Sequence, residues 1–169
     1  MSLSRSASRA STLAYATTTL LFGSAFGAST ARAQTGVQLT LGGFETFGVP
    51  TAADFAAGIL EASTPLPFQV LTTSEPAGSI TTSVYIRSSS PTLGAGKSVT
   101  QLEWRRGDDP TWRAVTTVDA IVETRVAQGT AQGHTWSNTI HFRMVLRWAS
   151  DRPTTYASNL VLTVSTTAP

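Results

Sequence analysis

The residues able to do chemistry in this 169-residue chain are few and scattered. His134 and His141 are its only imidazoles. A zinc site needs ligands that converge in a tetrahedron, usually several His or Cys. Two histidines seven residues apart, without tight ligand spacing and with no cysteine anywhere, read instead as surface residues. Asp108 and Asp109 offer the hard oxygens that calcium prefers. The EF-hand spacing is absent, and Gly107-Asp108-Asp109-Pro110 reads as a turn. Gly94-Ala95-Gly96-Lys97-Ser98 ends like a phosphate-binding loop. The full pattern requires glycine where Pro91 stands, so a Gly-rich hairpin loop is expected. Serine is abundant, but no G-x-S-x-G elbow occurs. Glu103 and Glu123 have the residue type of a glycosidase pair. Nothing in their spacing favours that role over solvent-facing charges paired with Arg105 or Arg125, each worth under about 1 kcal/mol. No catalytic residue, metal or cofactor is therefore expected, and the chain reads as non-enzymatic.

The four tryptophans carry more information. Trp104, Trp136 and Trp148 fall on the apolar faces of their segments and are expected in the core. Trp112 follows a polar turn and sits between Thr111 and Arg113. It is the candidate ligand-binding residue, together with Arg105, Arg106 and Arg113. An indole at a surface stacks on sugars or anchors a partner; a guanidinium packed on it is the simpler role.

The elements that must position these residues are strands. Val37, Leu39 and Leu41 alternate with polar neighbours. So do Leu66, Phe68 and Val70, and then Ile80, Thr82, Val84 and Ile86. A strand is expected from Val99 to Arg106, with Leu102 and Trp104 on one face. Trp112–Thr117 and Ala120–Ala127 follow. The longest run is Thr135–Trp148, with Trp136, Asn138, Ile140, Phe142, Met144, Leu146 and Trp148 on one face. Leu160, Leu162 and Val164 belong to a closing strand. One short helix, or a loop crossing between sheets, is expected at Thr51–Leu60, with Thr51 as its cap and Asp54 in the first turn. About seven to nine strands without βα alternation predict an all-β antiparallel β-sandwich, with a small barrel as the alternative.

Residues 1–33 read as a secretory leader. Arg5 and Arg9 are the only charges before Arg32. Leu20-Leu21-Phe22 centres an uncharged stretch, and Ala31-Arg32-Ala33 is an A-x-A exit. Residues 34–169 are then one domain, large enough to bury a core. Cleavage removes Arg5, Arg9 and Arg32 from the 12 basic residues, leaving nine against ten acidic ones and a formal net charge of −1. The basic pI of about 9.5 thus belongs largely to the leader, and nucleic-acid binding is not expected. Lys97 is the one lysine of the chain. No stretch after the leader approaches the length of a membrane helix, so no stable membrane anchor is expected once the leader is cut. The 23 Thr residues after Ala33 are spread among the apolar positions. That spacing suits half-solvated strands better than a glycosylated stalk.

Phe142-Arg143-Met144-Val145-Leu146-Arg147-Trp148, a turn with Pro153, Tyr156, and the strand Leu160-Val161-Leu162-Thr163-Val164 carry a resemblance. So does Phe47-Gly48-Val49-Pro50. The first set resembles the closing hairpin of bacterial secreted immunoglobulin-like and pilin-like β-sandwich domains, and the second resembles the Phe-Gly step after the first strand of some fimbria-associated domains. The chain lacks the usual cysteine pair of chaperone–usher pilins. The resemblance implies an immunoglobulin-like sandwich, and the leader implies that it acts outside the cytoplasm, in the periplasm or at the cell surface. A structural or adhesive role is expected, with other surface proteins or self as partners through strand edges such as Thr135–Trp148 or Leu160–Thr166. A carbohydrate-binding module using Trp112 is the first alternative, and a small secreted hydrolase the second.

Overall fold

The computed structural model describes residues 11–20, 30–32, 36–43, 47–73, 75, 78–130 and 132–167. In chain order its elements are β1 (Ser11–Leu20), β2 (Thr30–Arg32), β3 (Val37–Leu41), α1 (Ala52–Ala57), β4 (Ile59–Glu61), β5 (Leu66–Thr72), β6 (Ser79–Ser88), β7 (Leu102–Arg106), β8 (Arg113–Ala114), β9 (Ala120–Gln128), β10 (Thr135–Val145) and β11 (Ser158–Thr167). A single turn of 3-10 helix, Val99–Gln101, precedes β7. The protein is all-β, built from two antiparallel sheets. One has the order β1-β11-β6-β9; the other has the order β2-β3-β5-β10-β7-β8, with β4 also paired to β10.

Period-two patterning accounts for most of this. Side chains of a strand alternate between faces, so one buried face needs an apolar residue at every second position. The burial of β3 and β5 follows that rule residue by residue. One continuous core draws Val84, Ile86, Leu160, Leu162 and Val164 from the first sheet. From the second it draws Leu39, Phe68, Val70, Trp104, Ile140, Phe142 and Met144. Trp104 and Trp136 are buried there, as expected. Thr51 caps α1 through a reciprocal capping box with Asp54. Gly58 then adopts a left-handed conformation (φ 73°), which a residue with Cβ seldom tolerates. It ends the helix after six residues and turns the chain straight into β4.

Several expectations need correction. The strand expected from Val99 starts at Leu102, because Ser98 accepts the Thr100 N–H and winds the first residues into a turn. The strand expected over Trp112–Thr117 shrinks to two residues. Asp109 accepts the Thr111 N–H at 2.9 Å, which holds the preceding chain in a turn away from the sheet. β10 stops at Val145, short of Trp148. There Asp151 accepts the Arg147 N–H at 2.7 Å and bends the chain outward. Trp148 is therefore 65% exposed instead of buried, stacked on Phe55 of α1 with ring centroids 4.8 Å apart. β10 is also no edge: β5 and β4 flank one side and β7 the other. β11 lies between β6 and β1.

β1 and β2 fall within the stretch read as a leader. The rest of that stretch, including Leu21, Phe22 and Ala33, lies outside the described residues. Among the described residues no helix is long and apolar enough to cross a membrane.

Candidate functional site

The outward face of β7 and β10 carries the most chemically distinctive surface group. Alternation on β7 sends Leu102 and Trp104 into the core and turns Glu103 and Arg105 outward. On β10 the same rule buries Phe142 and Met144 and turns His141 and Arg143 outward. The register sets His141 opposite Arg105 and Arg143 opposite Glu103. Arg143 Nε donates to Glu103 Oε2 at 2.6 Å, fixing its guanidinium on the sheet. The turn after β7 returns the chain across this face. Asp109 holds that turn by accepting the Thr111 N–H and by pairing with Arg113 at 2.8 Å. The Thr111 N–H first, and then the Arg113 guanidinium, keep the Asp109 carboxyl well below the ordinary carboxylate range. Trp112 is thereby placed with the Arg143 guanidinium 4.4 Å from its ring centroid and that of Arg105 at 5.1 Å. A half-exposed indole seated on two cations is held in one orientation.

The four residues expected at this site separate. Trp112 and Arg105 come together. Arg113 sits over a different ring, that of Trp104, at 5.4 Å. Arg106 has the opposite parity on β7, and its Nε lies 3.0 Å from Asp108 Oδ1 without hydrogen-bonding geometry. Arg143 was not among the expected residues, although it holds the ring more closely than Arg105 does. Its outward position on β10 was readable from alternation; its cross-strand neighbour was not.

Other polar groups are held by structural partners. Glu103 pairs with Arg143 and not with Arg105. Glu123 is only 6% exposed, a correction to its expected solvent-facing position. A bulge in β9 makes Val122 an extra residue, so the alternation slips and the Glu123 side chain turns inward. It accepts from Arg125 Nε at 2.7 Å and from Asn138 Nδ2 at 2.8 Å. Glu103 and Glu123 thus stand on different sheets, each with its own arginine.

At the mouth of β10, Glu75 binds His134 Nδ1 at 2.8 Å, accepts from Thr72 Oγ1, and accepts the Thr130 N–H at 3.1 Å. Burial opposes the charge on Glu75. The hydrogen bonds from Thr72, Thr130 and His134 outweigh it and hold this carboxyl below its ordinary value. Thr72 Oγ1 also accepts the His134 N–H at 2.9 Å, so the cluster clasps two loops together. Gly133 makes the approach possible: a Cβ there would lie 1.8 Å from the Thr72 carbonyl oxygen, and its φ is +72°. His141 faces outward on β10. Among the described residues no three His, Cys, Asp or Glu side chains converge as a metal site.

The Gly94–Ser98 loop is a hairpin closed by a bridge between Thr92 and Ser98. Its lysine turns inward. Lys97 Nζ lies 2.6 Å from Asp151 Oδ2, with the two side chains 1% and 4% exposed.

No family model matches the chain. No curated protein matches it either. Among solved structures, the secreted serine protease VesC from Vibrio cholerae aligns with 90% of this chain and 43% of its own, at 10% identity and a TM-score of 0.18. The chain thus spans less than half of that structure's length. A likeness of this size carries no argument about fold or function.

Proposed function

We propose that this chain is an exported, non-enzymatic β-sandwich of the immunoglobulin-like kind, acting as a structural or adhesive module in the periplasm or at the cell surface. The observation that carries the reading is the Trp112 platform. An indole held over Arg105 and Arg143 is oriented before any partner arrives, so little side-chain freedom is lost on binding. The carboxylates best suited to acid–base chemistry are meanwhile engaged with arginines or with a loop clasp. Surface proteins are one class of partner, and a second copy of the chain is another.

The same platform supports a second reading, a carbohydrate-binding module. A flat aromatic face flanked by guanidiniums suits a sugar ring bearing carboxylate or sulfate groups. A glycan array and a cell-surface binding assay, each run with the exported protein and its Trp112→Ala variant, test both readings. Binding that Trp112→Ala abolishes while the fold persists supports the platform. Binding to cells but not to glycans favours the adhesive reading, and no binding in either assay overturns both.

A further inference from the structure

We infer that leader removal uncovers β11 as the contact strand of a homodimer, in which β11 of one copy pairs antiparallel with β11 of a second copy. The inference rests on the proposed export of the chain with cleavage after Ala33.

β1 covers β11 over ten consecutive register pairs, from Ser11 opposite Thr167 to Leu20 opposite Ser158, with no shift. β1 lies wholly within the stretch that cleavage discards. β1 also lies against β2 and β3, so its loss opens one flank of the molecule. The strand left behind is SNLVLTVSTT. It contains no charge, no Gly and no Pro, and its pairing with β6 is regular throughout. A bare edge of this kind presents a row of unpaired N–H and C=O groups, and natural sheets protect such edges with charges, prolines or bulges.

The opposite edge shows that protection. β9 carries a bulge at Val122, the inward carboxylate of Glu123, and Arg125 beside it. β8, at an edge of the second sheet, is only two residues long. β3 also loses its neighbour β2 on cleavage, but it has five residues against ten in β11. Among the described strands, β11 is therefore the long edge without a device against pairing.

Its chemistry selects the occupant. A two-fold axis can join identical strands only when they run antiparallel, which is the polarity β11 accepts from β1. With no charged side chain on the strand, two copies meet without like-charge repulsion. Equally, the strand offers no charge pattern by which to recognise a different partner. Val161 and Thr163 lie on the face opposite the core residues Leu160, Leu162 and Val164 and are β-branched side chains suited to packing across such a pair.

The test uses the protein recovered from the exporting cell. Its intact mass reports whether residues 1–33 are gone, and light scattering over a range of concentrations reports its oligomeric state. Because the chain has no cysteine, single substitutions Asn159→Cys, Val161→Cys, Thr163→Cys, Ser165→Cys and Thr167→Cys report strand contact by oxidation. The expected result is a cleaved protein of twice the monomer mass. Disulfide yield should peak at one or two adjacent outer-face positions, several-fold above the inner-face control Leu162→Cys. Ser165→Lys, at a half-buried position, should give a folded monomer. The full 169-residue chain refolded from denaturant should also be monomeric, since β1 occupies the edge. A cleaved protein that stays monomeric without cross-links, or that cross-links only to another protein, overturns the dimer and leaves export standing. An exported protein that retains residues 1–33 overturns the leader reading and the uncovering with it.

Discussion

Lys97 and Asp151 form a buried ion pair, Nζ to Oδ2 at 2.6 Å, that ties the hairpin before β7 to the turn after β10. Tyr156 closes one side, with Lys97 Nζ 5.6 Å from its ring centroid. Its hydroxyl donates to the Arg152 carbonyl at 2.8 Å. Asp151 serves a second donor, the Arg147 N–H. A buried pair of this kind adds little over an apolar replacement, but losing one partner strands the other's charge. Lys97→Met should therefore lower unfolding free energy by roughly 3–5 kcal/mol. Lys97→Met with Asp151→Leu should recover a large part of that. Urea denaturation of the three proteins checks both; a single variant as stable as the parent would show that the pair is not buried in solution.

Glu75 gives the fold an acid-sensitive clasp. Its carboxyl titrates below its ordinary value of 4.5, despite the burial that opposes this. A carboxyl with a lowered folded pKa contributes stability that is fully present above its ordinary value and is lost as pH falls through the folded one. The parent should lose stability below about pH 4.5 more steeply than Glu75→Gln, which has no charge to lose. Thermal melts from pH 6 downward measure the difference. Parallel acid limbs in the two proteins would remove Glu75 from the account.

Gly133 is placed where no other residue fits. Its Cβ position falls on the Thr72 carbonyl, and its φ is left-handed. Gly133→Ala should destabilise the protein by more than about 1 kcal/mol, since strain in φ adds to the clash. The loop should open first, so hydrogen exchange at the His134 and Thr72 amides should quicken ahead of the core.

The two tryptophans Trp104 and Trp148 should behave oppositely on truncation. Trp104 is fully buried, and Trp104→Ala should cost about 3–5 kcal/mol. Trp148 is 65% exposed, and Trp148→Ala should cost well under half of that, losing chiefly its stacking on Phe55. Chemical denaturation orders them. Iodide quenching of single-tryptophan variants should reach Trp148 and spare Trp104.

Trp112 and Arg143 should be energetically coupled. A double-mutant cycle with Trp112→Ala and Arg143→Ala should give about 0.5–1 kcal/mol of interaction at this half-exposed site. The same cycle with Arg106→Ala should give nothing measurable, because Arg106 turns to the other face of β7 and lies beside Asp108. Equal coupling for both arginines would contradict the register.

Local pattern determined much of this protein. Alternation in Val37–Leu41, Leu66–Thr72, Ser79–Ser88 and Ser158–Thr167 specified strands and their buried faces, because a pleat repeats every two residues whatever it pairs with. Thr51, Asp54 and Gly58 likewise bounded the helix through contacts within a few residues. Tertiary structure decided what depends on register and on turns. Arg143 reaches Trp112 only because β10 pairs β7 with Glu103 opposite it. Glu123 turns inward because of a bulge in β9, and Trp148 turns outward because Asp151 captures the chain beside it. Lys97 lies in the expected Gly-rich hairpin loop, but its inward turn onto Asp151 is set by the turn after β10. The Arg143–Trp112 and Lys97–Asp151 contacts join residues distant in sequence, whereas the turn at Trp148 is closed within four residues by a hydrogen bond that interrupts the alternation; alternation within a strand carries no information about which strand lies beside it.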